Sequence, residues 1–578
     1  RAATVYLDGA ETDARVLAAE DLARDQVLQG PAIVAVTGGT VVLERGWSCV
    51  RQADGSLLLE AHETAPALAA NTERDPATLA LFVNLFMATA ERMGGVLQNT
   101  AQSINVRERL DFSCAVFDAQ GSLLANAPHV PVHLGSMDFC VRSLLASGQA
   151  IEPGDAFVQN NPYDGGSHLP DVTVVSPVFH GDRLAFFVAS RAHHEDIGGI
   201  DPGSMSPRAR SIEEEGVVFD HLRIVRGGTL QEQILREALS SGRYPARKTE
   251  QNIADLTAQI AANAHGASEL RALIDERGFE AVTAYAGHVQ DYTEERMRAL
   301  IGKLDDGSFT SRFDSGDAIA VSVKIDRERG EASLDFAGTS KQLPTNLNAP
   351  KSITHAAVLY VFRCLIDEDI PINAGCLRPL RIDVPEGTLL NPVPPAPVAA
   401  GNVETSMAHT DTLFAALGAL GSSQGTMNNL TFGNDRFQYY ETICSGSPAG
   451  PGFDGAPGVH VHMTNTRMTD PELLEERLPV RVEAFSIRRG SGGEGRWCAG
   501  DGTRRTLRFL EPVSLSILSE HRKVPPHGLQ GGRPGSLGVT FITRADGSEE
   551  RLAGSDHADL SAGDAVTVIT PTGGGFGE

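Results

Sequence analysis

Apolar positions along the chain change their period several times, and each change predicts a different element. Gly30-Pro31-Ala32-Ile33-Val34-Ala35-Val36 and Thr40-Val41-Val42-Leu43 flank a Gly38-Gly39 pair, which reads as two short β-branched runs around a glycine turn. Ser56-Leu57-Leu58-Leu59-Glu60 reads as a closing strand, so residues 1–66 are expected to form a small β-rich module. The pattern then becomes helical. Asp75-Pro76 is a helix start, an N-cap acid followed by Pro at the first helical position. Leu79, Val83, Phe86, Met87 and Ala90 follow at helical spacing. This helix is expected to reach about Ile104, with Gly94-Gly95 as the point where it can break.

Between Phe112 and about Val225 the runs shorten. Cys114-Ala115-Val116-Phe117, Val172-Thr173-Val174-Val175 and Leu184-Ala185-Phe186-Phe187-Val188 suit buried strands, joined by Gly- and Pro-rich loops. Residues 249–304 return to helical spacing, with Ile253, Leu256, Ile260 and Ala264 on one stripe and a break near Gly278 that makes a hairpin. Strands follow at 318–325 and 332–336, a helix at about 353–365, and strand and loop from about 380 onward. No fixed-period repeat is present. The expected fold class is α+β: a β-rich multi-layer core, a long helical hairpin and the small N-terminal β module. The expected division is 1–66 and 70–578, with a subdivision of the second part near 305–380.

Composition narrows the function classes. The 578 residues are 41% hydrophobic and 21% charged, as in ordinary globular proteins. A formal net charge of −25 argues against a nucleic-acid partner, because phosphate binding needs clustered Lys and Arg. No apolar run reaches the roughly 18–20 residues of a membrane span, so no membrane role is expected. The first residues, Arg1-Ala2-Ala3-Thr4-Val5, carry no initiator Met and no secretion-signal layout, and read as a chain that begins midway through a longer one. Seven scattered cysteines with no CxxC pair suggest reduced thiols in a cytoplasmic protein.

Candidate chemistry concentrates in Asn160-Asn161-Pro162-Tyr163-Asp164-Gly165-Gly166-Ser167-His168-Leu169-Pro170-Asp171, which sets His and Asp three apart just before an apolar strand. After the next strand comes Arg191-Ala192-His193-His194-Glu195-Asp196. If the two strands are neighbours, His168, Asp171 and His193 share one rim as a two-His, one-carboxylate site for a divalent metal with open positions. Asp111, an isolated acid entering an apolar strand, is a candidate for a further oxygen ligand. Spacing alone leaves a surface loop with incidental His and Asp equally open.

Longer motifs add a family. Leu97-Gln98-Asn99-Thr100-Ala101-Gln102-Ser103, Arg107-Glu108-Arg109-Leu110-Asp111-Phe112-Ser113-Cys114 and His129-Val130-Pro131-Val132-His133-Leu134-Gly135-Ser136-Met137 resemble the hydantoinase B/5-oxoprolinase family. So do the His168 and His193 segments, Gly401-Asn402-Val403-Glu404-Thr405, Gln424-Gly425-Thr426-Met427-Asn428-Asn429 and Tyr439-Tyr440-Glu441-Thr442. Residues 1–66 are similar to the end of the family's other, ATP-binding half, hydantoinase A. The chain departs from the commoner family pattern in having Asn161 before Pro162 and Ala192 where Gly is usual.

The resemblance implies an enzyme, an ATP-dependent hydrolase that opens the cyclic amide 5-oxo-L-proline to L-glutamate, with this chain as its metal-containing half. It implies Asp111, His168, Asp171 and His193 as ligands of a divalent metal (Zn, Mn or Fe), and ATP bound by the missing hydantoinase A-like half of a fused polypeptide. His133 and His194 are then expected to transfer protons or hold the substrate carboxylate, with structural histidines as the alternative. A homo-oligomer is expected. A related hydantoinase or carboxylase component, or a non-catalytic scaffold for the ATP half, remains open.

Overall fold

The computed structural model describes residues 1–7, 10–62 and 72–578. The described residues form six sheets with helices among them, an α+β architecture as expected. They divide into two compact units, one of Arg1–Glu73 with Leu273–Val282, the other of Arg74–Ala272 with Thr283–Glu578.

In the first unit, Ala32–Val36 and Gly39–Leu43 pair antiparallel with Val36 opposite Gly39, the hairpin expected from the two β-branched runs. Leu57–Ala61 closes on Trp47–Arg51. The pair Ala2–Leu7 and Ala10–Ala18 was not anticipated. Its sequence mixes charges with small apolar residues, and only the buried Thr12 and Ala14 mark an inward face. Leu22, Leu28, Val34, Leu43 and Cys49 form this unit's core. The boundary expected at 66 falls outside the described residues.

The second unit is organised around a seven-stranded antiparallel sheet. Its strand order is Thr229–Leu230, Leu222–Arg226, Ala156–Gln159, Asp171–His180, Arg183–His193, Phe112–Asp118, Leu123–Asn126. On one face Phe117, Phe157, Val175 and Phe187 pack with Met137, Val141 and Leu144 of the helix Met137–Ala146. On the other, Phe186 meets Phe86 of the helix Pro76–Thr100, ring centroids 6.0 Å apart. Burial on both faces explains why these strands read as apolar runs without alternation.

The helix Pro76–Thr100 begins as expected, with Asp75 accepting the Thr78 amide at 2.8 Å, and it continues through Gly94-Gly95. It stops short of Ile104; Ser103 caps a separate turn, Ile104–Arg107. By length and composition this helix is apolar enough to cross a membrane, which corrects the expectation that no such segment exists. In the fold, Leu79, Phe82, Phe86, Met93 and Leu97 are buried along it.

Helices Thr249–Arg277 and Phe279–Ile301 meet at Gly278, as expected. Ile253 and Leu256 face inward, but Ala264 is exposed. A polar stripe, Asn252, Asp255, Gln259 and Asn263, is buried instead. Gln259 donates to the carbonyls of Val172 (3.0 Å) and Ser190 (2.9 Å), and Asn263 to that of Val174 (2.9 Å). A hydrophobicity scan assigns such residues to solvent; here their amides satisfy sheet carbonyls under the helix.

Downstream, Gly307–Arg312, Ala318–Asp326, Glu331–Asp335 and Leu380–Asp383 form a four-stranded sheet beside the helix Lys351–Cys364. Two further sheets complete the unit and share a core that includes Phe432, Tyr439, Phe509 and Val566. The final third also holds the helix Ser406–Ala416, buried nearly all round and so without a stripe to betray it. It is preceded by a π-helical turn, Gly401–Thr405.

Candidate metal centre

The loop before Asp171 is shaped by Gly165 and Gly166. Gly165 has φ +94, and a side chain on Gly166 would begin 2.4 Å from the Asn160 carbonyl oxygen. Asn161 accepts the Tyr163 amide at 3.1 Å. The loop delivers His168 and then Asp171 at the first position of its strand, where Asp171 lies directly opposite His193 in the antiparallel register. Neighbouring strands therefore place the three side chains at one sheet end, as the spacing suggested.

Asp171 is the centre of the group. Its Oδ2 accepts from Ser167 Oγ (2.7 Å) and Asn402 Nδ2 (3.3 Å) and lies 3.0 Å from His168 Nδ1. Its Oδ1 lies 3.2 Å from His133 Nε2 and 3.4 Å from His193 Nδ1. Potential ligand atoms of His168, Asp171 and His193 all lie within 4.8 Å of one another. All three residues are buried, yet Nε2 of His168 and Nε2 of His193 have no hydrogen-bond partner among the described residues. Unmade hydrogen bonds at buried polar atoms are costly, and two such nitrogens beside a buried carboxylate fit a cation. Burial tends to raise the Asp171 carboxyl, but the rings of His133 and His168 hold it well below the usual range. Burial pushes His168 down, against the pull of Asp171. A neutral His168 beside an ionised Asp171 is the protonation state a metal requires.

The remaining expected residues separate. Asp111 lines the same small cavity, about 20 Å3, as His133, Asp171 and His193, and its carbonyl accepts the His193 amide at 3.0 Å. Its carboxylate lies 3.8 Å from the Arg109 guanidinium, outside the tight trio. His133 joins the group, its Nδ1 3.2 Å from Ser113 Oγ. His194 does not. Next to His193 in the chain, it turns the other way. Asn252 donates to its Nδ1 (3.0 Å), and its Nε2 meets Gln259 Oε1 (3.2 Å), so both nitrogens are held by the Thr249–Arg277 helix.

Several residues of the site fall in family motifs, but periodicity and spacing gave them no role. Tyr440 stacks on His193, centroids 4.7 Å apart and planes 13° from parallel. The Arg109 guanidinium carbon lies 4.7 Å from the Tyr440 ring centre, and Arg109 also donates to the Tyr440 carbonyl at 2.8 Å. Tyr440 Oη donates to Asn429 Oδ1 (2.8 Å), and Asn429 donates to Glu404 Oε1 (2.7 Å). Asn402 and Glu404 both come from the π-helical turn, a feature frequent at functional sites. The glycine stretches near 492–495 and 573–577 pack on each other, Gly493 N donating to Gly573 O at 3.0 Å.

Residues 75–578 match the hydantoinase B/oxoprolinase family. The chain belongs to that family. It is 42% identical over 599 aligned residues to 5-oxoprolinase 1 of Arabidopsis thaliana, covering 99% of this chain and 47% of the relative. It thus spans about half the length of the curated oxoprolinases it matches. It is 30% identical to one component of a putative D-/L-hydantoinase of Pseudomonas sp., covering 87% of this chain and 90% of the relative. The ATP-dependent caprolactamase of Pseudomonas jessenii superposes with a TM-score of 0.79 at 25% identity, over 87% of this chain and 91% of that one.

Proposed function

We propose that this chain is the metal-binding half of an ATP-dependent cyclic-amide hydrolase that opens 5-oxo-L-proline to L-glutamate. The observation that carries the reading is the approach of potential ligand atoms of His168, Asp171 and His193 to within 4.8 Å of one another, with Asp171 and His193 lining a cavity of about 20 Å3, room for one ion or water. Those three residues would hold a divalent cation, with the Asp111 carboxylate on the same cavity wall. Their donor set suits Zn, Mn or Fe alike. When bound, such a cation polarises an oxygen or lowers the pKa of a water.

The chain's own residues do the rest. Ser167 and Asn402 fix the Asp171 carboxylate by donating to Oδ2, leaving Oδ1 turned toward His133 and His193. His133, between Ser113 and Asp171, is placed to take or return a proton at Nε2. Tyr440 and Arg109 hold the plane of His193.

A five-membered lactam is an unactivated amide, so its opening needs coupling to ATP. The name of the ATP-dependent caprolactamase relative supports that coupling, and the greater length of the oxoprolinases supports a hydantoinase A-like half as the ATP-binding partner. Seven free cysteines suit a cytoplasmic setting.

The test is to combine this chain with an ATP-binding half and follow ADP and ring-opened product with 5-oxo-L-proline, a hydantoin and caprolactam. The reading expects 5-oxo-L-proline to be preferred, and His168→Ala to abolish turnover while the circular dichroism spectrum is kept. A folded, active His168→Ala enzyme would leave the chain a scaffold.

A further inference from the structure

Away from the metal centre, the second unit contains a cavity of about 760 Å3. That is the size of pockets that hold small organic ligands. Part of its wall is apolar, from Pro207, Pro344, Leu347 and Leu552. Its polar lining is unusual for a chain of net charge −25: Arg210, Arg522, Lys523 and Arg551 face Asp314, Asp317 and Glu520.

The acids there are largely occupied. Asp314 accepts the backbone amides of Arg522 (2.7 Å), Lys523 (2.8 Å) and Val524 (2.8 Å). Glu520 accepts the Asp314 amide at 2.8 Å, and burial pushes its carboxyl up to about 8, so it carries little charge at neutral pH. The cations are less occupied. Arg522 is 8% exposed; its Nη atoms donate to Glu520 O, Asn428 Oδ1 and Thr540 Oγ1, and its Nε has no partner among the described residues. Among the described residues the Arg210 guanidinium donates to the neighbouring Ala209 carbonyl alone, its backbone amide binding Glu214, and no carboxylate pairs with Lys523 or Arg551.

We propose that this cavity is a binding site for a small organic oxyanion, a carboxylate or phosphate ester whose apolar body lies on the proline and leucine wall. The buried Arg522 supplies a fixed charge in a region of low dielectric, and the exposed Lys523, Arg210 and Arg551 draw the anion in. The floor also reaches toward the first site. Thr426 Oγ1 accepts the Glu520 amide (3.3 Å), the next residue's amide binds Glu404 (3.0 Å), and Asn429 holds both Glu404 and Tyr440. The proposal stands independently of the metal reading.

Calorimetric titration of the full chain with ADP and with L-glutamate tests it, with neutral adenosine as the control. One or both anions are expected to bind saturably, adenosine is not, and the preferred anion identifies the source of the oxyanion. The double variant Lys523→Ala/Arg551→Ala, which changes exposed side chains only, is expected to weaken binding about tenfold per lost charged contact. Its metal content, measured in parallel, is expected to equal that of the unaltered chain. Absence of saturable binding by either anion, or unchanged affinity in the double variant, would overturn the proposal.

Discussion

Replacing Tyr440 separates a packing role from a positioning role at the metal centre. The ring lies between the His193 imidazole, 4.7 Å away and nearly parallel, and the Arg109 guanidinium, also at 4.7 Å. An aromatic pair contributes about 0.5–1.5 kcal/mol beyond area burial, and a desolvated cation–π contact about 2 kcal/mol. Tyr440→Leu removes both, a loss of about 3 kcal/mol in stability before any gain from the new side chain. Groups that orient a metal ligand typically change metal affinity about 10–100-fold. Because stacking is the only restraint Tyr440 places directly on His193, the lower figure, about tenfold, is expected. Tyr440→Phe keeps the stack and removes only the donor to Asn429. It leaves a buried carbonyl oxygen short of a partner, costing about 1–3 kcal/mol in stability with metal affinity near that of the unaltered chain. Competition with a chromogenic chelator gives the affinities, and chemical denaturation the stabilities. If Tyr440→Leu loses stability yet binds metal as tightly as the unaltered chain, the positioning argument is wrong.

Other consequences are independent of the metal. Glu215 is fully buried, accepts the amides of Val398 and Ala399, and is raised to about 8 chiefly by burial. A carboxyl raised on folding stabilises fully below its unfolded pKa of about 4.3 and loses that contribution as pH climbs through about 8, at up to about 1.4 kcal/mol per pH unit. Denaturation from pH 5 to 9 should show that decline, and Glu215→Gln should flatten it. Arg505 pairs in two contacts with Glu441, at 2.6 and 2.9 Å, and both are buried. Glu441→Gln leaves the guanidinium uncompensated and is expected to cost about 3–5 kcal/mol by urea unfolding; a change below about 1 kcal/mol would contradict the stated cost. A methyl group on Gly94 would begin 2.7 Å from the His129 ring, so Gly94→Ala should lower stability by about 1–3 kcal/mol despite its better helix propensity.

Local pattern made much of this molecule legible. The Asp75 cap, the paired β-branched runs around Gly38 and the Gly278 break each depend on neighbours in sequence, and each appears as expected. The His168-x-x-Asp171 spacing and the strand between it and His193 were enough to bring those residues together, because adjacent antiparallel strands fix which residues meet. What escaped depends on distance or on burial without period. Asn402 reaches Asp171 from 231 residues away, and Tyr440 reaches His193 from a different sheet. The helix Ser406–Ala416 is buried on nearly every side and the Asn252–Gln259–Asn263 stripe through polar contacts, neither of which hydrophobic periodicity registers. The direction of the His194 ring also depends on distant partners: Asn252 and Gln259 of the Thr249–Arg277 helix hold it, as the structural alternative expects.

The most direct measurement is the metal content of the purified chain by elemental analysis, beside His168→Ala and His193→Ala, with circular dichroism to confirm folding. The account predicts close to one divalent transition-metal ion per unaltered chain and little in either variant. A folded chain that takes up no such ion on dialysis against Zn, Mn or Fe, or variants that retain it, would contradict it.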